Sequence, residues 1–201
     1  MHDALPHSQS AGKPTLEDWS RRVQALIDDH LGRRAEVDVR MLAEALAAAT
    51  QWPACPHLSS IAAGEALIYL RMPIAHRGST DYEALLILWP PGHATPIHDH
   101  AGLWGLELVL DGVLEVETYA LSPQPHPQLT SEGSAVLGVG DRASFSGANH
   151  AHRCRNFSSQ KPALTLHVYG GALDTYRSFR QEEAGRWTST VHRTHRTPAF
   201  A

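Results

Sequence analysis

The stretch WPPGHATPIHDHAGLWGLELVLDG sets His98 and His100 one residue apart beside an apolar run. Successive side chains of an extended chain point to opposite faces. The two imidazoles can therefore share a face and take two positions on one metal ion, with Asp99 turned away. The pair alone decides little, because the chain carries 14 histidines in 201 residues and a polar turn gives the same pattern. A third ligand must come from elsewhere, and GANHAHRCRN offers His150 and His152, again on one face and again after a glycine turn. A second constellation lies in TLHVY. Thr165, His167 and Tyr169 share one face of an extended segment, and Leu164, Leu166 and Val168 the other. Core packing explains three polar groups on one face poorly, since each buried polar group needs a partner.

Two kinds of element have to position these groups. TLEDWSRRVQALIDDHL has Leu16, Trp19, Val23, Leu26, Ile27 and Leu31 at helical spacing, with Thr15 and the acids at 17 and 18 as its start signal. DVRMLAEALAAATQW predicts a second helix, broken at PACP, residues 53–56. From there the pattern is that of strands, near 65–74, 82–89, 103–110, 113–120, 134–139 and 162–169, with shorter ones near 142–146 and 152–156. Asp111-Gly112 between two of them is a hairpin signal. Many short strands with turn signals predict an antiparallel sandwich or small barrel. The tail from about 172 is read as irregular structure wrapped on it. The expected organisation is a disordered leader (1–13), a helical extension (14–60) and a barrel with its tail (61–201), one domain overall.

The net charge is −4, and no basic stripe interleaves with aromatics, so nucleic acid is not an expected partner. No apolar run reaches the roughly 20 residues of a membrane span, and no secretory signal pattern opens the chain. Cys55 and Cys154 do not make a disulfide framework. The expected setting is reduced cytoplasm, for a monomer or weak homo-oligomer. Cys154 is read as a small, partly buried thiol without an assigned role.

GHATPIHDH…G resembles the first cupin motif, with Gly92, His98, His100 and Gly112 in register. Gly105 stands where that motif has its usual glutamate ligand. HRCRN resembles the end of the second cupin motif, through His152 and Asn156. With YLR at 69–71 and LTLHVYGGALDTY, the chain from about Tyr69 to Tyr176 is similar to the bacterial type I cysteine dioxygenases, thiol dioxygenases of the cupin superfamily. The resemblance implies an all-β double-stranded β-helix with N-terminal α-helices. It implies Fe(II) held by His98, His100 and His152, with His150 the alternative third ligand. It implies that L-cysteine binds through sulfur and amine, O2 takes a remaining site, and the product is cysteine sulfinic acid.

By the same resemblance Arg71 and Tyr69 lie at the substrate, Arg71 on its carboxylate, which a guanidinium fork matches in bidentate fashion. Thr165 joins them in an outer row with His167 and Tyr169, whose hydroxyl lies near substrate and oxygen. Omitting a carboxylate ligand preserves positive charge for an anionic thiolate. In the animal enzymes a cysteine at the Gly105 position forms a thioether with the tyrosine, so no such link is expected here. Trp89 and Trp104 are read as packing residues, and His93 as solvent-facing or part of a turn. The alternatives are a dioxygenase of 3-mercaptopropionate or another small thiol, and a non-enzymatic metal-binding sensor.

Overall fold

The computed structural model describes residues 13–32, 36–60, 68–77, 82–122 and 126–197. Helix α1 (Leu16–Gly32) is set by its buried Trp19, Val23 and Ile27, four residues apart. It starts on a reciprocal cap: the Asp18 N–H donates to Thr15 Oγ1 (3.3 Å), and the Asp18 carboxylate accepts from the Thr15 N–H (2.8 Å). Helix α2 (Val39–Ala47) is capped by Asp38, which accepts from the Met41 N–H at 3.0 Å. It ends sooner than the composition predicts. Residues 48–51 tighten into a 3-10 turn, and Trp52 is already extended at ψ 148°, as the residue before Pro53 must be.

Two antiparallel sheets form the small jelly-roll barrel expected of a cupin. One sheet runs, in spatial order, β1 (Leu70–Arg77), β2 (Tyr82–Trp89), β9 (Ala163–Tyr169), β4 (Gly105–Asp111), β7 (Arg142–Phe145). The other runs β11 (Trp187–Arg193), β10 (Thr175–Gln181), β3 (Ile97–His98), β8 (His150–Asn156), β5 (Leu114–Ser122), β6 (Gln128–Leu137).

The first sheet is buried on both faces. Its outer side chains, among them Leu86, Leu88, Leu106, Leu164 and Leu166, pack under Trp19, Val23, Leu42 and Leu46 of the helices. Its inner side chains, among them Leu85, Ile87, Val109 and Tyr169, meet Val116 and Cys154 of the other sheet inside the barrel. Each large apolar side chain so buried contributes about 1.5–3 kcal/mol. Double burial is why β2 reads as a continuous apolar run from Ala84 to Trp89. The hairpin at Asp111-Gly112 depends on glycine: its φ is +81°, and a Cβ there would lie 2.8 Å from Ala163.

Several expectations are corrected. The tail is not irregular, because β10 and β11 pair as a hairpin and extend the second sheet. The strand expected at 134–139 runs instead from 128 to 137. The two-residue β3 was not expected as a strand. The strand expected from 65 begins at Leu70, and residues 61–67 lie outside the described residues, as does the expected leader apart from Lys13.

Candidate metal centre and substrate cavity

Strand β3 is short but held on both sides. His98 lies opposite His152 of β8 and opposite Ser178 of β10. The intervening Asp99 turns the other way. Its buried carboxylate accepts from the Arg177 backbone N–H (2.8 Å), from Nε (2.7 Å) and from Nη2 (2.7 Å). Asp99 thus ties the histidine pair to β10.

The ring nitrogens follow from their neighbours. His98 Nδ1 lies 3.0 Å from the Pro96 carbonyl, so it carries the proton and Nε2 is a bare lone pair. His152 Nδ1 lies 2.9 Å from Glu107 Oε1, which favours the same tautomer. The two Nε2 atoms then face each other across 3.3 Å. Burial, helped by neighbouring His152, pushes His98 down to about 3, and burial holds His100 well below the usual range. Neutral imidazoles with opposed lone pairs call for a cation between them. Two metal–nitrogen bonds of about 2.1 Å meeting at roughly 90–110° leave their nitrogens about 3.0–3.4 Å apart. His100, buried, has both ring nitrogens without a partner, and the ligand atoms of His98, His100 and His152 all lie within 4.8 Å of one another. Among the described residues, the buried side-chain nitrogens and oxygens lacking a partner belong to His100, Glu107 and His150, all in this cluster. The donor set fits a divalent metal with no prior deprotonation of His98 or His100.

His150, on the same face of β8 as His152, is not in that group. Its ring stacks on Phe145 (4.8 Å, 4°), and Phe145 stacks in turn on His100 (4.2 Å, 15°). Phe145 therefore orients His100, which no hydrogen bond does.

Thr165, His167 and Tyr169 line up inside the barrel. The Trp89 Nε1–H donates to Thr165 Oγ1 (2.9 Å). Thr165 Oγ1 lies 2.9 Å from His167 Nε2, and His167 Nδ1 lies 3.1 Å from the Tyr169 hydroxyl. If Thr165 donates to Nε2, then Nδ1–H donates to Tyr169 and leaves its O–H free to donate onward. Burial lowers His167 to about 4 and pushes the Tyr169 hydroxyl far above its ordinary range, so both are neutral at pH 7. Thr165 departs from its expected place. It is fully buried and is not in the lining of the cavity over Tyr169 and His98, and its hydroxyl is used by Trp89 and His167, a place that supports the row.

A cavity of about 340 Å³ opens over Tyr169 and His98, and Tyr69, Arg71, His93 and Tyr176 line it too. The Arg71 charge acts on His98, His167, Tyr69 and Tyr169. Among the described residues no carboxylate pairs with its guanidinium. Arg193, Thr194, His195 and Thr197 also line it, tied down by the Thr197 N–H donating to the Arg71 carbonyl (2.8 Å) and by Arg196 paired with Glu83 and with Asp174.

His93 closes the turn from Pro90, its N–H donating to the Pro90 carbonyl (3.1 Å), while its ring lines the cavity and stacks on Tyr69 (4.5 Å, 17°). Glu107 is the residue that sequence reasoning missed. The signal was a lone charge within the apolar run LELVL, on the same strand face as Gly105. Its carboxylate is fully buried, and burial alone would raise its pKa. His152 and His167 outweigh this and bring it to about 2. The carboxylate missing from the ligand position is thus present one layer behind it. Cys154, 1% exposed, donates its S–H to the same carboxylate at 3.2 Å. Asn156 is structural: its amide donates to the Pro90 (3.0 Å) and Lys161 (2.8 Å) carbonyls, clasping two loops.

A family model described as cysteine dioxygenase type I matches residues 14–182. The chain belongs to that family. Cysteine dioxygenase type 1 of Homo sapiens is 26% identical over 121 residues, 59% of this chain and 60% of that protein. The Danio rerio protein of the same name is 30% identical over 112 residues, 54% of each. The match thus spans no more than about three-fifths of the length of these relatives. A solved structure described as a sugar phosphate isomerase from a cupin superfamily, from Silicibacter pomeroyi, overlays with a TM-score of 0.38 at 20% identity, covering 62% of this chain and 74% of that one.

Within the cysteine dioxygenase type I family, this chain's Gly105 has a steric reason. It lies opposite Tyr169 in the ladder. A Cβ there would come within 2.3 Å of Phe145 Cζ and 3.0 Å of Tyr169 Cδ1. Phe145 fills the space that a side chain at 105 would need. Intact-mass and peptide mapping of purified protein are expected to find Tyr169 unmodified. A Tyr169–Cys154 link would overturn this.

Proposed function

We propose that the protein is an Fe(II)-dependent thiol dioxygenase that converts L-cysteine and O2 to cysteine sulfinic acid. His98, His100 and His152 hold the metal. The observation that carries the reading is one cavity with two chemistries in its lining: His98, through which the three-histidine cluster meets the cavity, and Arg71, an arginine lacking a protein carboxylate partner among the described residues. Iron(II) held by three neutral imidazoles supplies the redox chemistry that couples a thiolate to O2. The overall change balances, R–SH + O2 → R–SO2H.

The chain's own residues do the rest. Arg71 takes the substrate carboxylate and fixes which end of the molecule reaches the histidines. Tyr169 stays protonated and donates a hydrogen bond into the cavity, held in place by His167, with Thr165 and Trp89 behind. His167 acts through Tyr169 and is a positioning residue. Tyr69, stacked on His93 and packed edge-on to Trp89 (5.1 Å), stiffens the wall beside Arg71. No helix among the described residues is long and apolar enough to cross a membrane. Both cysteines are unpaired, which suits a reducing compartment such as the cytoplasm.

Protein purified anaerobically and assayed for metal should consume one O2 per cysteine and release the sulfinate. Preference for 3-mercaptopropionate over cysteine would move it to that substrate class. Failure of the iron-loaded protein to consume O2 with any small thiol would leave the sensor reading.

A further inference from the structure

Among the described residues three carboxylates are buried: Glu83, Asp99 and Glu107. Glu83 is paired with Arg196, and Asp99 with Arg177. Glu107, the most deeply buried, has no arginine or lysine partner among the described residues. Its neighbours are His152 Nδ1 at 2.9 Å, Cys154 Sγ at 3.2 Å and His167 Nε2 at 4.0 Å. A buried carboxylate without an arginine or lysine partner is costly to a fold. Its place here therefore points to the group that its neighbours serve.

We propose that Glu107 is the positioning residue of the metal centre: its carboxylate holds the Nδ1 side of His152 and so aims Nε2 at the metal shared with His98 and His100. The proposal rests on the metal-centre reading above. Nδ1 and Nε2 point to different sides of the ring, so a carboxylate at Nδ1 is not itself a ligand of a metal at Nε2. The 2.9 Å contact is close but off-line as a hydrogen bond, which leaves Oε1 as an acceptor with capacity for the imidazole proton. Oε2 is held by the Cys154 S–H, so the carboxylate is itself oriented. Each ligand then has its own device: the Pro96 carbonyl for His98, Phe145 for His100 and Glu107 for His152. Outer partners of this kind typically govern metal affinity by about 10–100-fold.

The test uses the full chain, stripped of metal and titrated anaerobically with Fe(II), as wild type, Glu107→Leu, Glu107→Gln and His98→Ala, with thermal melts of each metal-free protein. Glu107→Leu is expected to weaken Fe(II) binding by about 10–100-fold. Glu107→Gln, which keeps an acceptor oxygen, should weaken it by a smaller factor. The metal-free melts report separately on what the contacts of Glu107 with His152 and Cys154 contribute to the fold. A purely structural Glu107 would give a lowered melting temperature with unchanged Fe(II) affinity, and that result overturns the proposal. If Glu107→Leu does not fold, Glu107→Gln decides, and wild-type affinity there overturns it. If His98→Ala binds Fe(II) as tightly as wild type, the metal-centre reading has failed and takes this proposal with it. Loss of binding in His98→Ala with intact binding in both Glu107 variants overturns this proposal alone.

Discussion

Iron-reloaded His98→Ala, His100→Ala and His152→Ala proteins are each expected to hold little iron and to show almost no thiol-dependent oxygen uptake, while His150→Ala keeps most of both. The reason is positional. The Nε2 atoms of His98 and His152 are 3.3 Å apart, and His100 closes the group, whereas His150 lies face to face with Phe145. Losing one of three ligands should cost more than losing an outer partner, which already costs about 10–100-fold in affinity or activity. Metal content and oxygen uptake on the same preparations provide the check. An empty site in His150→Ala with a filled one in His152→Ala would reverse the assignment.

The second large effect is expected at Arg71. Removing one partner of a buried, hydrogen-bonded charge pair costs about 2–5 kcal/mol, partly because the other charge is left unpaired. At about 1.4 kcal/mol per factor of ten, that is roughly 30- to 4,000-fold. Arg71→Ala should lose catalytic efficiency on cysteine by a factor in this range. It should lose far less on cysteamine, which has the thiol and amine but no carboxylate. Arg71→Gln keeps some hydrogen bonding and should shift preference toward 3-mercaptopropionate, which lacks the amine. The measurement is kcat/KM for the three thiols at matched iron content. Equal losses on cysteine and cysteamine would mean that Arg71 supports the fold and does not read the substrate.

The helix-covered sheet was legible because its strands are buried on both faces, so β2 and β9 carry strong apolar or alternating patterns, and Asp111-Gly112 fixes the hairpin between β4 and β5. The second sheet was harder to read. Strand β11 is an exposed edge, and β10 buries only Phe179 while Tyr176 faces the cavity, so neither shows the period of two that marks a half-buried strand. Strand β3 is too short for any period. Periodicity also could not separate His150 from His152, which lie on the same face of β8. Their difference comes from cross-strand register, since His98 stands opposite His152. Glu107 escaped notice because a carboxylate was sought at the ligand position, two residues earlier on the same face.

The tether between β3 and β10 has a consequence for synthesis. His98 and His100 precede β10 by some 75–80 residues, yet the Asp99–Arg177 contacts and the Ser178–His98 pairing hold one of the two sides of β3. A nascent chain that has produced all three histidines still lacks the strand that holds that side. On the proposed metal-centre reading, the site is complete only once β10 has been made, so selective metal loading would belong to the finished chain.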